Sequence, residues 1–422
     1  MQKWTIWVAA AILAASLCAC GANPPEPAET PSDSDVPEPA VHALGLTAQQ
    51  RMEDYEALWA TLRDSYPCWG ILEREGVDVD AIYQEYKELV SDSDSDVDFY
   101  SAIYSALWRL GTNGHLWIAE PDAYASYVEN LAAYQDADRG RWAEVLKSEK
   151  TASGYQKLDN LLSLLGGDED EDEPMEAPIA NVTSMILPGN IGYLKISSFS
   201  GNMETDGAAI ADSYAQCANC DDLILDLTTN SGGSEDYWEQ LIVAPNIDKT
   251  LSASHVALVR MSENNTPYLE NVFSASELNT IAQLPDLPKL DAADRALATH
   301  YVTIDHTIVP AARRSPFHGR FWVLVGNAVY SASESFSIFC KDTGFATLVG
   351  TQTSGDGIGI DPIFLQLPNS GILVQFTALF GLNADGSSNE ETGTTPDIVS
   401  SDGENPLVTA LRAINAQKGV ES

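Results

Sequence analysis

Two segments of this 422-residue chain share one pattern, a hydrophobic run of strand length followed by a turn and an amphipathic helix, and they constrain the fold more than any other feature. The first, DDLILDLTTNSGGSEDYWEQLIV, runs from Leu223–Leu227 through Gly232 and Gly233 into a helical pattern. The second, RFWVLVGNAVYSASESFSIFCKDTG, runs from Phe321–Val325 through a short loop to a helix with Phe336, Phe339 and Cys340 as apolar positions. A short run that is apolar at nearly every position suits a strand covered on both faces. IGYLKISSF, ATLVGT, PIFLQL and ILVQFTA supply further short runs, and helix-like segments at 203–217, 234–243, 331–343 and 406–416 alternate with them. That alternation predicts an α/β core in which helices cover a sheet.

The chain begins with MQKWTIWVAAAILAASLCAC, in which one early Lys3 precedes an apolar stretch and small residues precede a cysteine. This is the pattern of a signal peptide over residues 1–20. Leu17 to Gly21 resembles the lipobox of bacterial lipoproteins, so Cys20 is the expected lipidation site; an ordinary secretory signal or an uncleaved anchor helix are the other readings. No later segment reaches the ~20 apolar residues of a membrane span. The rest of the chain is therefore expected outside the cytoplasm, tied to the membrane by lipid. Residues 21–45, rich in Pro, Glu, Asp and Ser, read as a solvated tether. The formal net charge of −40 and the lack of a basic patch exclude nucleic acid as a partner.

Residues 46–128 are expected to form a small helical domain, with Tyr55, Leu58, Trp59 and Leu62 on one apolar face and Phe99, Ile103, Leu107 and Leu110 on another. Asp96 is placed as a helix cap, and the preceding SDSDSD lacks the glycine and closing glutamate of a calcium loop. Residues 129–185 read as a helical and acidic connection, with the run Asp168–Glu173 as a solvated loop. Residues 186–418 form the α/β core, with an insertion at about 245–318. Cys68, Cys217, Cys220 and Cys340 follow the leader; Cys217 and Cys220 form either a local disulfide or two free thiols, because structural zinc needs about four ligands.

Ser331 falls at a loop-to-helix junction. A hydroxyl there can lie over the positive end of the helix, where N–H groups stabilise an oxyanion. Equally, Ser331 or Ser333 can cap the helix, with Glu334 completing a capping box. Gly232 and Gly233 can turn backbone N–H groups into a cleft or serve a plain turn. His115 lies between a helix end and the strand-like LWIA, as a base or as a hydrogen-bonded structural histidine. The other histidines after the leader, His42, His255, His300, His306 and His318, lie in the tether or the insertion and none pairs at metal-ligand spacing. No metal or organic cofactor is expected.

Taken together, DLILDLTTNSGG and VLVGNAVYSASE resemble the tail-specific (C-terminal processing) and tricorn-core serine peptidases, serine peptidase family 41, over roughly residues 47–415. The resemblance implies a crotonase/ClpP-like α/β core behind a small helical domain, Ser331 as nucleophile, and an oxyanion hole from the backbone N–H groups of Gly232 or Gly233 and of Ala332. The processing branch uses a lysine twenty-five residues after its serine; here that position is Asp356 in TSGDG, which argues against a Ser–Lys dyad. Lys341, ten residues on, has no reason to face Ser331. The sequence is closer to the tricorn-like branch, which implies His115 of LGTNGH as general base and Glu390 of NEETGTTPDI as its orienter, with Glu391 the competing carboxylate. Gly114 stands where that branch has a helping serine, and Thr394 where valine is preferred. The helical and acidic character of 125–185 predicts no PDZ module, and GDGIGID (355–361) reads as a glycine-rich loop for pairing with an extended substrate rather than for calcium. The expected function is an extracytoplasmic, lipid-anchored peptidase acting on a protein or peptide through Ser331, His115 and Glu390. The alternative is a non-catalytic peptide- or cell-wall-binding protein on the same fold, which Asp356 favours.

Overall fold

The computed structural model describes residues 42–133, 140–165 and 180–419. The leader, Cys20, most of the tether and the run Asp168–Glu173 lie outside the described residues. In chain order the first strands are β1 (Trp117–Ile118), β2 (Val182–Leu187), β3 (Ile191–Ile196), β4 (Asp222–Asp226), β5 (Leu251–Val259), β6 (Asn279–Thr280) and β7 (His300–Ile308). They are followed by β8 (Arg320–Val325), β9 (Ala346–Gly350), β10 (Ile363–Gln366), β11 (Leu373–Phe376), β12 (Leu379–Leu382) and β13 (Ile398–Val399).

A six-stranded sheet of order β13-β9-β8-β4-β3-β2 forms the α/β core, parallel throughout except for the antiparallel β2–β3 pair. Successive residues of a strand face opposite sides of its sheet. Leu223, Leu225, Val323 and Val325 pack on one side with Tyr214 of the Met203–Gln216 helix and with Phe336 and Phe339 of the Ala332–Thr343 helix. Ile224, Trp322, Leu324 and Val349 face the other side, covered by Ala410 and Ile414 of the Pro406–Lys418 helix. Double-sided burial is why these strands are apolar at consecutive positions. The edge strand β2 is the exception, with Met185 and Ile186 exposed.

The insertion at 245–318 holds the long antiparallel pair β5 and β7, in register from Leu251 opposite Ile308 to Val259 opposite His300. β12 and β6 flank that pair, and β1, β11 and β10 form a separate antiparallel sheet. The early helices share one hydrophobic cluster with both sheets: Tyr55, Trp59, Leu62, Phe99 and Ile103 lie with Val302, Phe364, Val374 and Leu379. Asp54, fully buried in the Ala48–Ser65 helix, accepts the backbone N–H groups of Asn369 and Ser370 at 2.7 and 2.8 Å, which ties that helix to the turn between β10 and β11. Residues 121–165 are helical over Pro121–Ala133, Gly140–Leu146 and Glu149–Leu165.

The cap of the Asp96–Leu110 helix differs from the expected one. Ser95 is the capping residue and accepts from the Asp98 N–H at 3.0 Å. Asp96 is in the first turn and buried, where it accepts from the Gly45 N–H at 2.8 Å and pairs with Arg51 at 3.5 Å. A serine makes the cap with a short neutral side chain, which frees the carboxylate for a long-range contact. Cys217 and Cys220 are buried free thiols.

His306 of β7 joins the insertion to the core. Its Nδ1 lies 3.3 Å from Glu239, its Nε2 lies 3.4 Å from the Ser335 hydroxyl, and its ring lies against Trp238 with centroids 5.6 Å apart. Glu239 and Trp238 belong to the helical turns after Gly233, and Ser335 to the Ala332–Thr343 helix.

Candidate active site

The loops that leave β4 and β8 rise from the carboxyl ends of adjacent parallel strands, Asp226 lying opposite Leu324. Open α/β sheets place their sites at such ends. Ser331 occupies the cap position of the Ala332–Thr343 helix with φ 55° and ψ −127°, and its side chain makes no capping bond. Its N–H donates to the Gly355 carbonyl at 3.0 Å. The capping box is absent because its members are engaged elsewhere. Ser333 donates to Asn230 at 2.6 Å, and the Glu334 carboxylate accepts from the Thr394 hydroxyl at 2.7 Å and the Asn389 amide at 3.0 Å. The Ser331 hydroxyl lies 3.2 Å from Nε2 of His115.

Gly232 explains how the two loops approach so closely. A Cβ there would lie 2.9 Å from the Tyr330 carbonyl oxygen and 3.0 Å from Cβ of Ser331, and its φ of 113° favours glycine. Its N–H, however, donates to Asn230 Oδ1 at 2.9 Å, so Gly232 supplies clearance rather than a free donor. The N–H groups of Gly233 and Ala332 make no hydrogen bond among the described residues.

His115 arrives from the other hydrophobic cluster. The Asp96–Leu110 helix stops at Gly111, and the Asn113–His115 turn follows with positive φ at both Gly114 and His115. The turn is fixed by the Thr377 N–H donating to the Gly114 carbonyl at 2.7 Å and by the Tyr66 hydroxyl donating to the Asn113 carbonyl at 2.7 Å. β1 then pairs with β11. The imidazole lies tilted against Tyr330, with its side chain 23% exposed.

The carboxylates are arranged differently from the expected triad. Glu390, in the short Asn389–Thr392 helix, accepts the Gly114 N–H at 2.7 Å and the Tyr330 hydroxyl at 3.3 and 3.4 Å. No hydrogen bond joins Glu390 to the imidazole among the described residues. Gly114 offers no hydroxyl between the carboxylate and the ring, and a Cβ there would meet Thr377 Cγ2 at 2.6 Å and Cys68 Sγ at 3.0 Å. Glu391 turns away and pairs with Arg74 at 2.8 Å. Lys341 pairs with Asp397 at 3.5 Å. The carboxylate that reaches the imidazole is Asp356, with Oδ2 at 3.1 Å from Nε2 and 3.4 Å from the Tyr330 hydroxyl.

The electrostatics follow from burial. Desolvation pushes Asp356 up to about 7, against the Tyr330 hydrogen bond and with a further push from Glu334. Glu390 is driven well above the usual carboxylate range by burial and by Asp356, and His115 is lowered to about 4 by burial. The 355–361 loop is tied down at Gly357, which donates its N–H to Asn389 at 2.9 Å, beside Asp356. Sequence reasoning treated Asp356 only as a missing lysine. The available signal was its position, since a residue at that spacing in the family acts on the nucleophile.

The sequence profile of peptidase family S41 matches residues 190–400. Among solved structures, a candidate peptidase from Parabacteroides merdae is similar at 19% identity, over 86% of this chain and 96% of that one, with a TM-score of 0.51. Mature CPAF complexed with lactacystin is similar at 14% identity, over 83% of this chain and 94% of that one, with a TM-score of 0.50. No curated protein matches the chain. At these identities the structural likeness is one of fold.

Proposed function

The chain belongs to peptidase family S41 and is a serine-type peptidase with a protein or peptide substrate, and on that premise we propose that Ser331 is its nucleophile and His115 its general base. The observation that carries the reading is the 3.2 Å approach of His115 Nε2 to the Ser331 hydroxyl. Ser331 Oγ attacks the scissile carbonyl while its proton passes to Nε2, and the tetrahedral oxyanion is held by the free N–H groups of Gly233 and Ala332. The imidazolium then protonates the departing amine, and water repeats the sequence to release the acyl group. Glu390 acts as a positioning residue: by holding the Gly114 N–H it fixes the turn that carries His115. The apolar leader ending at Cys20 supports an extracytoplasmic location with a lipid anchor at that cysteine.

A fluorophosphonate probe tests the reading on the full chain expressed with its leader. The wild type is expected to label in the membrane fraction, Ser331→Ala not at all, and His115→Ala about 10³-fold more slowly. Cys20→Ala should move the labelled protein to the soluble fraction. Absence of labelling in the wild type would sink the assignment of Ser331.

A further inference from the structure

Asp356 touches the nitrogen on which the chemistry turns. Its Oδ2 lies 3.1 Å from Nε2 of His115, and Ser331 Oγ lies 3.2 Å from the same atom. In a Ser–His–Asp triad the carboxylate meets the ring at the opposite nitrogen. Here Glu390 stands one backbone amide away, held by Gly114 and Tyr330. The side chain of Asp356 is 7% exposed, and the residue is held at φ 54°, a conformation few residues other than glycine, Asn and Asp adopt. Gly355, its neighbour, accepts the backbone N–H of Ser331 at 3.0 Å, so carboxylate and nucleophile are fixed to one another.

We propose that Asp356 is the carboxylate that stabilises the His115 imidazolium, and that it does so at Nε2, the nitrogen that receives the Ser331 proton. The proposal rests on the Ser331–His115 reading above. In the reactive form Asp356 is ionised and the neutral ring carries its proton on Nδ1. The Ser331 O–H bond breaks as the Oγ–C bond to the substrate carbonyl forms, and the proton arrives on Nε2. The new N–H then faces both the serine oxygen and the Asp356 carboxylate, so the positive charge is paired where it appears. Transfer of that proton to the leaving amine breaks the C–N bond and restores the neutral ring. When Asp356 is protonated, its O–H donates into the Nε2 lone pair and withholds the base from Ser331.

Both effects have the same sign, so activity rises with pH as Asp356 ionises. Burial places that ionisation at about 7. The groups around Asp356 are His115 from the Asn113–His115 turn, Tyr330 and Glu334 from the segment carrying Ser331, Glu390 from its short helix, and Tyr66 with Cys68. Glu334, Glu390, Tyr66, Tyr330 and Cys68 are all pushed upward in pKa, and His115 downward. Ionisation of Glu334 or Glu390 opposes that of Asp356, which moves the inflection upward in pH and leaves the sign of the effect unchanged.

The test is the rate of fluorophosphonate labelling from pH 5.5 to 8.5 for the full chain, Asp356→Asn and Glu390→Gln. Asparagine tolerates positive φ and has the shape of aspartate, so the loop is preserved. The wild-type rate is expected to rise about tenfold per pH unit below an inflection near 7 and then level. Asp356→Asn should be flat and about 100-fold slower at pH 8, whereas Glu390→Gln should keep the inflection. A wild-type profile with no inflection between pH 6 and 8 overturns the proposal without any variant. So does an Asp356→Asn profile equal to the wild type's, and either result leaves Ser331 labelled. Absence of wild-type labelling would instead overturn the Ser331–His115 reading together with this one.

Discussion

Around one nitrogen atom meet three residues whose φ lies between 54° and 57°, His115, Ser331 and Asp356, and none is glycine. The other non-glycine residue at positive φ among the described residues is Asn190, which follows Gly189 in the β2–β3 turn. Each such conformation costs about 1–3 kcal/mol and persists where the surroundings over-determine it. Ser331 is the extreme case, because ψ −127° at φ 55° lies outside the left-handed helical well. Ser331→Gly is therefore expected to raise stability by about 1 kcal/mol over Ser331→Ala, with urea unfolding as the measurement, although both abolish labelling. A Ser331→Gly midpoint below that of Ser331→Ala would contradict strain at this position. At this scale the sequence revealed identities but not contacts. Ser331 and His115 could be picked out from short motifs, and their approach follows from two loops and a turn. The approach of Asp356 to the imidazole was hidden because a spacing of twenty-five residues says nothing about which atom a side chain reaches. Glu390 was assigned to the ring by analogy, and it is instead engaged by the Gly114 N–H and the Tyr330 hydroxyl.

Among the elements, the strands of the α/β core were the most legible, since double-sided burial writes itself as consecutive apolar residues; β3 and β9 lie within the predicted runs, β4 and β8 begin one residue before theirs, and β10 and β11 of the neighbouring sheet also lie within theirs. The insertion was opaque. β5 alternates irregularly in burial, and β7 mixes histidine, threonine and aspartate with its apolar residues, because each presents one side to solvent. His306, read only as a residue of that insertion, proves to be its attachment point. Burial opposes its charge, but the hydrogen bond to Glu239 and the nearby Glu235 outweigh this and leave its pKa raised. Its contribution to stability is thus full below the unfolded value near 6.5 and is lost as pH rises through the higher folded value. His306→Asn should lower the unfolding free energy by about 1–3 kcal/mol at pH 6 and by less at pH 8.5. Equal losses at the two pH values, read from thermal unfolding, would rule out a charged latch.

For the whole molecule the acidic balance dominates, with 22 basic against 62 acidic residues. Three carboxyls buried at or beside the site, Glu334, Asp356 and Glu390, have raised folded pKa values. The folded state therefore holds protons that the unfolded chain gives up, and stability declines as pH rises from about 4 through about 7, the value of Asp356. Titration of surface acids adds self-repulsion in the same direction. The melting temperature at constant ionic strength should accordingly fall between pH 5.5 and 8, and Asp356→Asn should flatten that fall; a melting temperature that rises with pH would contradict the burial penalty. The composition made the sign of the charge plain, but not where three of its carriers would be stored.

The Ser331–His115 pair also straddles two hydrophobic clusters: the turn bearing His115 is anchored among residues of the first, and Ser331 leads the helix that packs into the second. Neither cluster alone assembles a proton acceptor next to the hydroxyl. A newly made chain would thus stay inactive until both halves had consolidated, and loosening of either half on heating would silence the enzyme before it was unravelled.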